Sequence, residues 1–150
     1  MNEIGKELVA KYYQALADSD VEAFLSVQQD NVVYNVNGST PVSGRFIGKD
    51  FLQNVVAPEV FGRLQMDTFR FATKWKIMCA DEQRVVAFME ADGTSANGER
   101  YNQRYCQTFG FRDGLIAEVF EFFDSTLAQR ALWGNRLAEP EMSPEREFEF

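Results

Sequence analysis

The 150-residue chain contains no histidine. That removes Ser-His-Asp and Cys-His catalysis, His-ligated zinc and an imidazole base near neutral pH. Its two cysteines, Cys79 and Cys106, are too few and too far apart for a thiolate metal site. Both stand in strand-like runs with nothing beside them to lower a thiol pKa, so they are expected as small core residues. No apolar run reaches the roughly 20 residues of a membrane span, and the opening MNEIGKELVAKYY lacks an h-region. A soluble, non-secreted, cytoplasmic chain with no membrane partner is expected. Cations are scarce too: 15 Lys and Arg stand against 23 Asp and Glu, a net charge of −8. That surplus repels phosphate backbones, so nucleic acid is not an expected partner. Phosphate loops are missing as well. Gly44-Arg-Phe-Ile-Gly48-Lys49-Asp50 has three residues between its glycines where the motif needs four, and Asp where it needs Ser or Thr. With no dinucleotide fingerprint and no calcium loop, neither a cofactor nor a metal is expected. Chemistry falls to carboxylates, tyrosines and amides.

What is present is an ordinary globular balance, 45% hydrophobic and 25% charged. One domain is expected, with roughly two-thirds of the unfolded surface buried. We place it at residues 1–133, followed by an acidic tail at 134–150 with five Glu and two Pro, whose Phe148 and Phe150 could dock on a partner. Residues 3–17 put Ile4, Leu8, Tyr12, Ala15 and Leu16 at helical spacing. Ser19-Asp-Val-Glu22 reads as a capping box for a second helix. Residues 31–36 form a strand, Asn37 to Pro41 a turn, and 42–46 a short strand. Residues 48–57 read as a helix that Pro58 ends or kinks.

Beyond that the hydrophobic period changes from 3.6 to 2. In residues 65–78, Phe69, Phe71, Trp75 and Ile77 share one face, while Arg70, Lys74 and Lys76 share the other. Strands follow near 84–92, 100–112 and 115–123, separated by hairpin signals such as Asp113-Gly114, so an antiparallel sheet is expected. Asp124 or Ser125 can cap a last helix. Helices first and long hairpin strands afterwards mean α+β. Such a sheet, strongly curved around the N-terminal helices, forms a cone with an interior pocket, the natural ligand site.

The order of elements, with KYYQALADSDVEAFLSV, NVVYNVNGSTPVSG-RFIGKDFL and FGFRDGLIAEVFEFFDSTLAQRAL, resembles the NTF2-like cone fold. Ketosteroid isomerase, the SnoaL-like polyketide cyclases and limonene-epoxide hydrolase share that fold. The resemblance spans about residues 5–133. The isomerase pattern combines an Asp base with an oxyanion hole of Tyr and a protonated Asp. Set against it, the helix Tyr falls on Tyr12, the base on Asn35 and the oxyanion Asp near Gln107. An amide cannot abstract a proton, so the same base chemistry is disfavoured. Set against the hydrolase pattern, the two carboxylates fall on Glu121 and Glu90. Phe88 takes the place of the bridging Arg, unless Arg104 enters from the neighbouring strand, and Asn35 keeps the role of an amide that holds a water.

The residues themselves also single out Glu121. Alternation puts Val119, Glu121 and Phe123 on one face of 115–123, with Phe120 and Phe122 on the other. A carboxylate among phenylalanines is desolvated if it faces the cone, which makes it a general base or acid. Alternatively its face meets solvent or a second subunit. Tyr101, Gln103, Tyr105, Gln107, Phe109 and Phe111 alternate onto one face, suited either to a pocket for an oxygenated ligand or to a subunit interface. Arg100, Arg104 and Arg112 take the other. Tyr12 is either a catalytic donor or a packed core residue. Asn35, if inward, needs a partner. Trp75 is a core or ligand-contact ring, and Asp124 a helix cap or a rim acid. The expected protein is thus a homodimer binding a small hydrophobic, oxygen-bearing molecule. Glu121, Asn35 and Tyr12 would carry cofactor-free isomerase, cyclase or hydrolase chemistry, and Gln107, Tyr105, Phe109, Phe123, Trp75 and Glu90 would hold substrate. The rival reading is a non-catalytic ligand-binding or dimerisation module of the same fold.

Overall fold

The computed structural model describes residues 2–134. The tail expected at 134–150 therefore lies, from residue 135 onward, outside the described residues. The chain opens with helix α1 (Glu3–Ala17), capped by the Asn2 side chain, which accepts from the Gly5 amide. Val9, Tyr12 and Tyr13 turn inward together. Ile4 does not share that face: it is 69% exposed, because burial centres on the Gly5–Val9–Tyr13 line instead. Helix α2 (Val21–Ser26) follows, and its cap is Asp20, whose side chain accepts from the Ala23 amide. Ser19, the expected cap, instead carries the chain through the bend at φ 54°.

Strand β1 (Gln28–Val36) pairs with the short β2 (Gly44–Ile47), and a helical stretch then runs from Lys49 to Phe61. Pro58 does not end it. The helix passes from α3 (Lys49–Phe51) through a π-turn at Leu52–Val56, closed by the Ala57 amide on the Leu52 carbonyl, into α4 (Ala57–Phe61) with Pro58 in its first turn. A proline removes one hydrogen bond and crowds the carbonyl four residues back, and widening the preceding turn absorbs both problems.

The remaining strands are β3 (Arg70–Ala80), β4 (Arg84–Asp92), β5 (Arg104–Arg112) and β6 (Leu115–Phe123), followed by α5 (Ser125–Trp133). The six strands lie in the order β2-β1-β6-β5-β4-β3. Four of the five pairings are antiparallel, including the hairpins read from sequence. The β1–β6 pairing is parallel, which corrects the expectation of a wholly antiparallel sheet. Hairpin turns specify only neighbours in sequence, whereas β1 and β6 meet across most of the chain.

Three devices shape the sheet. Asp113 and Gly114 both take positive φ, the turn that matches strand twist, and so close the β5–β6 hairpin. Gly93 lies so close to Phe69 that a Cβ there would come within 2.5 Å of the Phe69 Cα. In β3 the register slips twice against β4. Between Arg70 and Lys74 the strand gains two residues, which bends it around Ala72 at φ 50° and preserves the alternation of Phe71 with Trp75. Between Ile77 and Cys79 it gains one, which reverses the alternation. Cys79 is therefore exposed; Cys106, on β5, pairs with the outward Phe88 and Phe122 and is only half-buried, so neither is the core residue expected of it.

The core fills the concave side of this sheet. Val32 and Tyr34 from β1, Val85, Ala87 and Met89 from β4, Phe109 from β5 and Val119 from β6 pack against Val9 and Tyr13 of α1 and Leu127 and Ala131 of α5. Burying side chains of this size contributes about 1.5–3 kcal/mol each against the entropy of ordering the chain. The architecture is the α+β cone expected, and no described helix is long and apolar enough to cross a membrane.

Candidate active site

The packing leaves a cavity of about 630 Å³ inside the cone. Its wall is the concave face of β1, β4, β5 and β6. Its rim comes from α2, the π-turn residues Leu52 and Val56, and Leu132 and Trp133 of α5. The Trp133 indole is held in place by donating to Glu59 Oε1 at 3.1 Å. Most of the lining is aromatic or aliphatic. Glu121 and Asp20 are its acids, and no Lys or Arg is among the described residues that line it.

Glu121 owes its position to register. It pairs with Val36 on one side and Gln107 on the other, and all three point into the cone. Gln107 Nε2 donates to Glu121 Oε2 at 2.9 Å, and Gln107 Oε1 accepts from the Tyr13 hydroxyl at 2.8 Å. Glu121 keeps some accessible surface, but that surface looks into the cavity while protein surrounds the group. Burial accordingly pushes its pKa up to about 7, with the Gln107 hydrogen bond opposing the rise.

A second polar chain runs beside it. The Tyr12 and Tyr34 hydroxyls lie 3.3 Å apart, Tyr34 donates to Gln28 Oε1, and Gln28 Nε2 donates to the Phe24 carbonyl at 2.9 Å. All five tyrosines of the chain gather around the carboxylate. Burial raises the pKa of each, and the Glu121 charge adds to the rise for Tyr12, Tyr13, Tyr34, Tyr101 and Tyr105 alike. These hydroxyls stay protonated and can only donate or accept hydrogen bonds. The site thus offers one group able to exchange a proton near neutral pH, beside phenolic donors, in an apolar volume.

Of the nine candidates read from sequence, Glu121, Tyr12, Gln107, Tyr105 and Phe123 line this one cavity. The other four do not. Asn35 pairs with Phe120 and Arg45, so it points to the outer face of the sheet, and its neighbours Tyr34 and Val36 point inward. Glu90 is exposed on the outer face of β4, where it pairs with Arg104 and Lys74. The two-carboxylate arrangement with Asn35 is therefore not assembled, and Arg104 does not enter the cone. Phe109 is sealed in the core against Tyr12 and Tyr13. Trp75 stacks on Tyr13 at 5.3 Å, behind the cavity wall. Asp124 is the cap of α5, accepting from the Leu127 amide, and Gln103 clamps its backbone with two hydrogen bonds of 2.9 Å.

Sequence reading missed Tyr34, Gln28 and Tyr13. A signal for Tyr34 existed: Asn31, Val33, Asn35 and Asn37 share one parity, and Val32, Tyr34 and Val36 the other. The second set is the apolar face, which belongs inside. Tyr13 follows Val9 by four residues, the spacing of one helical face.

No curated protein matches the sequence. Solved structures do match the fold. An NTF2-like protein of unknown function from Burkholderia pseudomallei superposes with a TM-score of 0.73 at 16% identity, over 87% of this chain and 98% of that one. TerC, co-crystallised with polyporic acid, gives a TM-score of 0.73 at 20% identity, over 87% and 99%. A provisionally assigned polyketide cyclase from Pseudomonas putida gives 0.67 at 22%, over 88% and 98%. The SnoaL-like domain matches residues 9–119, which hold α1 from Val9 onward, β1 to β5 and β6 as far as Val119. The chain belongs to the SnoaL-like domain family.

Proposed function

We propose that this protein is a cofactor-free general acid–base enzyme acting on a hydrophobic, oxygen-bearing small molecule held in the cone. One observation carries the reading: the Glu121 carboxylate is desolvated and oriented by Gln107 at the wall of a mostly apolar cavity. In this reading Glu121 moves a proton to or from substrate carbon or a bound water. Tyr12, whose hydroxyl donates to Tyr34 while Tyr34 donates to Gln28, turns that donor to the substrate oxygen where negative charge develops. The aromatic lining excludes water and supports flat ligands. The reaction class is isomerisation, aldol-type cyclisation, dehydration or water addition. The ligand in the TerC structure and the cyclase assignment of the Pseudomonas putida neighbour support a small-molecule occupant. The non-catalytic alternative is less well supported, because the cavity is not filled by its own rings and its carboxylate sits beside several polar groups.

The test needs no native substrate. 5-Nitrobenzisoxazole is a neutral aromatic probe: a base removes its ring C–H proton, the N–O bond breaks, and a coloured phenolate forms. The expected rate is above that of acetate buffer and rises with pH through about 7, as Glu121 loses its proton. Glu121→Gln should lower it by about 10²–10⁴. A Glu121→Gln variant as fast as the parent protein overturns the assignment.

A further inference from the structure

We propose that Tyr13 is a positioning residue that acts through Gln107 to decide which oxygen of Glu121 exchanges the proton. The inference rests on reading Glu121 as the proton carrier, yet its geometry stands apart from any substrate. Tyr13 does not line the cavity. Its ring is fixed by stacking on Trp75 and by edge contacts with Tyr12 and Phe109, and it is fully buried. Among the described residues its hydroxyl makes one hydrogen bond, to Gln107 Oε1.

A glutamine amide can face either way, with its oxygen or its nitrogen toward a neighbour. Left to itself, Gln107 would present Nε2 to an ionised Glu121 and could turn to present Oε1 to a protonated one. Tyr13 removes the second choice. Turning the amide would leave the Tyr13 O–H, a buried donor, without an acceptor, and a buried unsatisfied donor is strongly disfavoured. Gln107 therefore keeps Nε2 on Glu121 Oε2 in both protonation states. Oε2 remains an acceptor throughout, and the exchangeable proton is confined to Oε1, which makes no hydrogen bond to a described residue.

The groups facing Glu121 fit a fixed amide. Tyr12 and Tyr13 come from α1, Tyr34 from β1, Tyr105 from β5 and Tyr101 from the segment before it; all feel its charge, and none ionises near neutral pH. The Gln107 amide also acts on the Tyr12 hydroxyl, lowering its pKa against the other contributions. Asp20, the remaining acid of the lining, is occupied as the cap of α2.

Tyr13→Phe keeps the ring and deletes the constraint. The amide is then free to turn and accept from the protonated carboxyl, which favours the neutral form. The titration midpoint of Glu121, followed by the ¹³C shift of its side-chain carboxyl, should rise by about one pH unit. Gln107→Leu should raise it as well, and adding Tyr13→Phe to Gln107→Leu should change nothing further. An unshifted midpoint in Tyr13→Phe, or additive shifts in the double variant, overturns the proposal. A general loss of packing would not produce that pattern. Should Tyr13→Phe fail to fold, 3,5-difluorotyrosine at position 13 keeps the ring and makes the hydroxyl a stronger donor. The midpoint should then fall, and a midpoint that stays put overturns the proposal equally. The titration reads Glu121 without turnover, so a silent benzisoxazole assay alongside shifted midpoints would sink the enzyme reading and leave the Tyr13 relay standing.

Discussion

Asn35 and Glu121 stand on paired strands, one residue out of step, and face opposite ways. Asn35 is opposite Phe120 on the outer side of the sheet, and Glu121 is opposite Val36 on the inner side. Both are polar groups held away from bulk water. Glu121 opens onto a cavity and has a fixed partner in Gln107. Asn35 is 1% exposed, and neither its Nδ2 nor its Oδ1 has a hydrogen-bond partner among the described residues. Each burial is unfavourable in itself. The difference is that the inner group borders a volume that a substrate could fill, where desolvation becomes reactivity.

The comparison breaks most sharply at the inner residue. If desolvated Glu121 is the reactive group, Glu121→Gln should cut the benzisoxazole rate by about 10²–10⁴. Asn35→Leu should leave it within about twofold, because Asn35 does not reach the cavity. Steady-state rates on both variants decide this, and a matching loss in Asn35→Leu would show that the two faces are coupled.

The same residue should set a pH dependence of stability. The folded protein holds the Glu121 proton up to about pH 7, while the unfolded chain releases it near the ordinary value of 4.5. Between those values the folded state binds more protons, so this contribution is fully present below about pH 4.5. It is lost as pH rises through about 7. The loss is on the order of 3 kcal/mol, because each pH unit between the two values contributes about 1.4 kcal/mol. Urea unfolding of the parent and of Glu121→Gln should show the parent losing stability relative to the variant across this window. Parallel curves from pH 4 to 8 would mean that the carboxylate is hydrated.

Much of this arrangement is legible in the sequence, and the parts that are not share a cause. The bounds of α1, β4 and β6 and the α5 cap follow from local signals: helical spacing, two-residue alternation and an Asp before Ser-Thr. Glu121 is legible as a carboxylate among phenylalanines, but its facing is not, because Val119 and Phe123 on one side and Phe120 and Phe122 on the other leave both faces of β6 apolar. Asn35 misleads because the resemblance, and not the alternation, puts it in the site: Val32, Tyr34 and Val36 form the apolar parity of β1, and Asn35 belongs to the other. Glu90 misleads because only the resemblance to the hydrolase pattern puts it in the site; on β4 it shares the outward parity of Phe88, which is 49% exposed. The exposure of Cys79 turns on a single extra residue in β3, and the parallel β1–β6 pair on a contact between distant segments. Facing, bulges and long-range pairing are settled by what a strand packs against, which periodicity within that strand does not record.

The outer residue provides a smaller test. Replacing Asn35 with Leu exchanges an unpartnered buried amide for methyl groups of similar shape. Where both lone pairs and N–H groups go unused, such an exchange should stabilise the fold, here by roughly 1–2 kcal/mol. Chemical denaturation measures it directly. A loss of stability of that size would mean that the Asn35 amide finds a partner in solution, and it would erase the contrast with Glu121.

The smallest effect sharpens the comparison from a second acid. Glu90 and Glu121 are both carboxylates from long strands, and the hydrolase pattern set against the sequence made them an expected pair. In the fold they lie on opposite faces: Glu90 is exposed beside Arg104 and Lys74, and Glu121 is enclosed beside Gln107. An exposed carboxylate in high dielectric contributes little to its cationic neighbours, and surface exchanges of this kind stay within about 0.5 kcal/mol. Glu90→Gln should therefore shift the unfolding midpoint barely at all and change the benzisoxazole rate by less than about twofold. A rate loss approaching that of Glu121→Gln would require Glu90 to reach the cavity, which its place on β4 forbids unless the strand slips by one residue. Because the same slip would carry Met89 and Ala91 out of the core, it would also register as a large loss of stability, so rate and denaturation measured on one variant tell a misassigned face from a second functional acid.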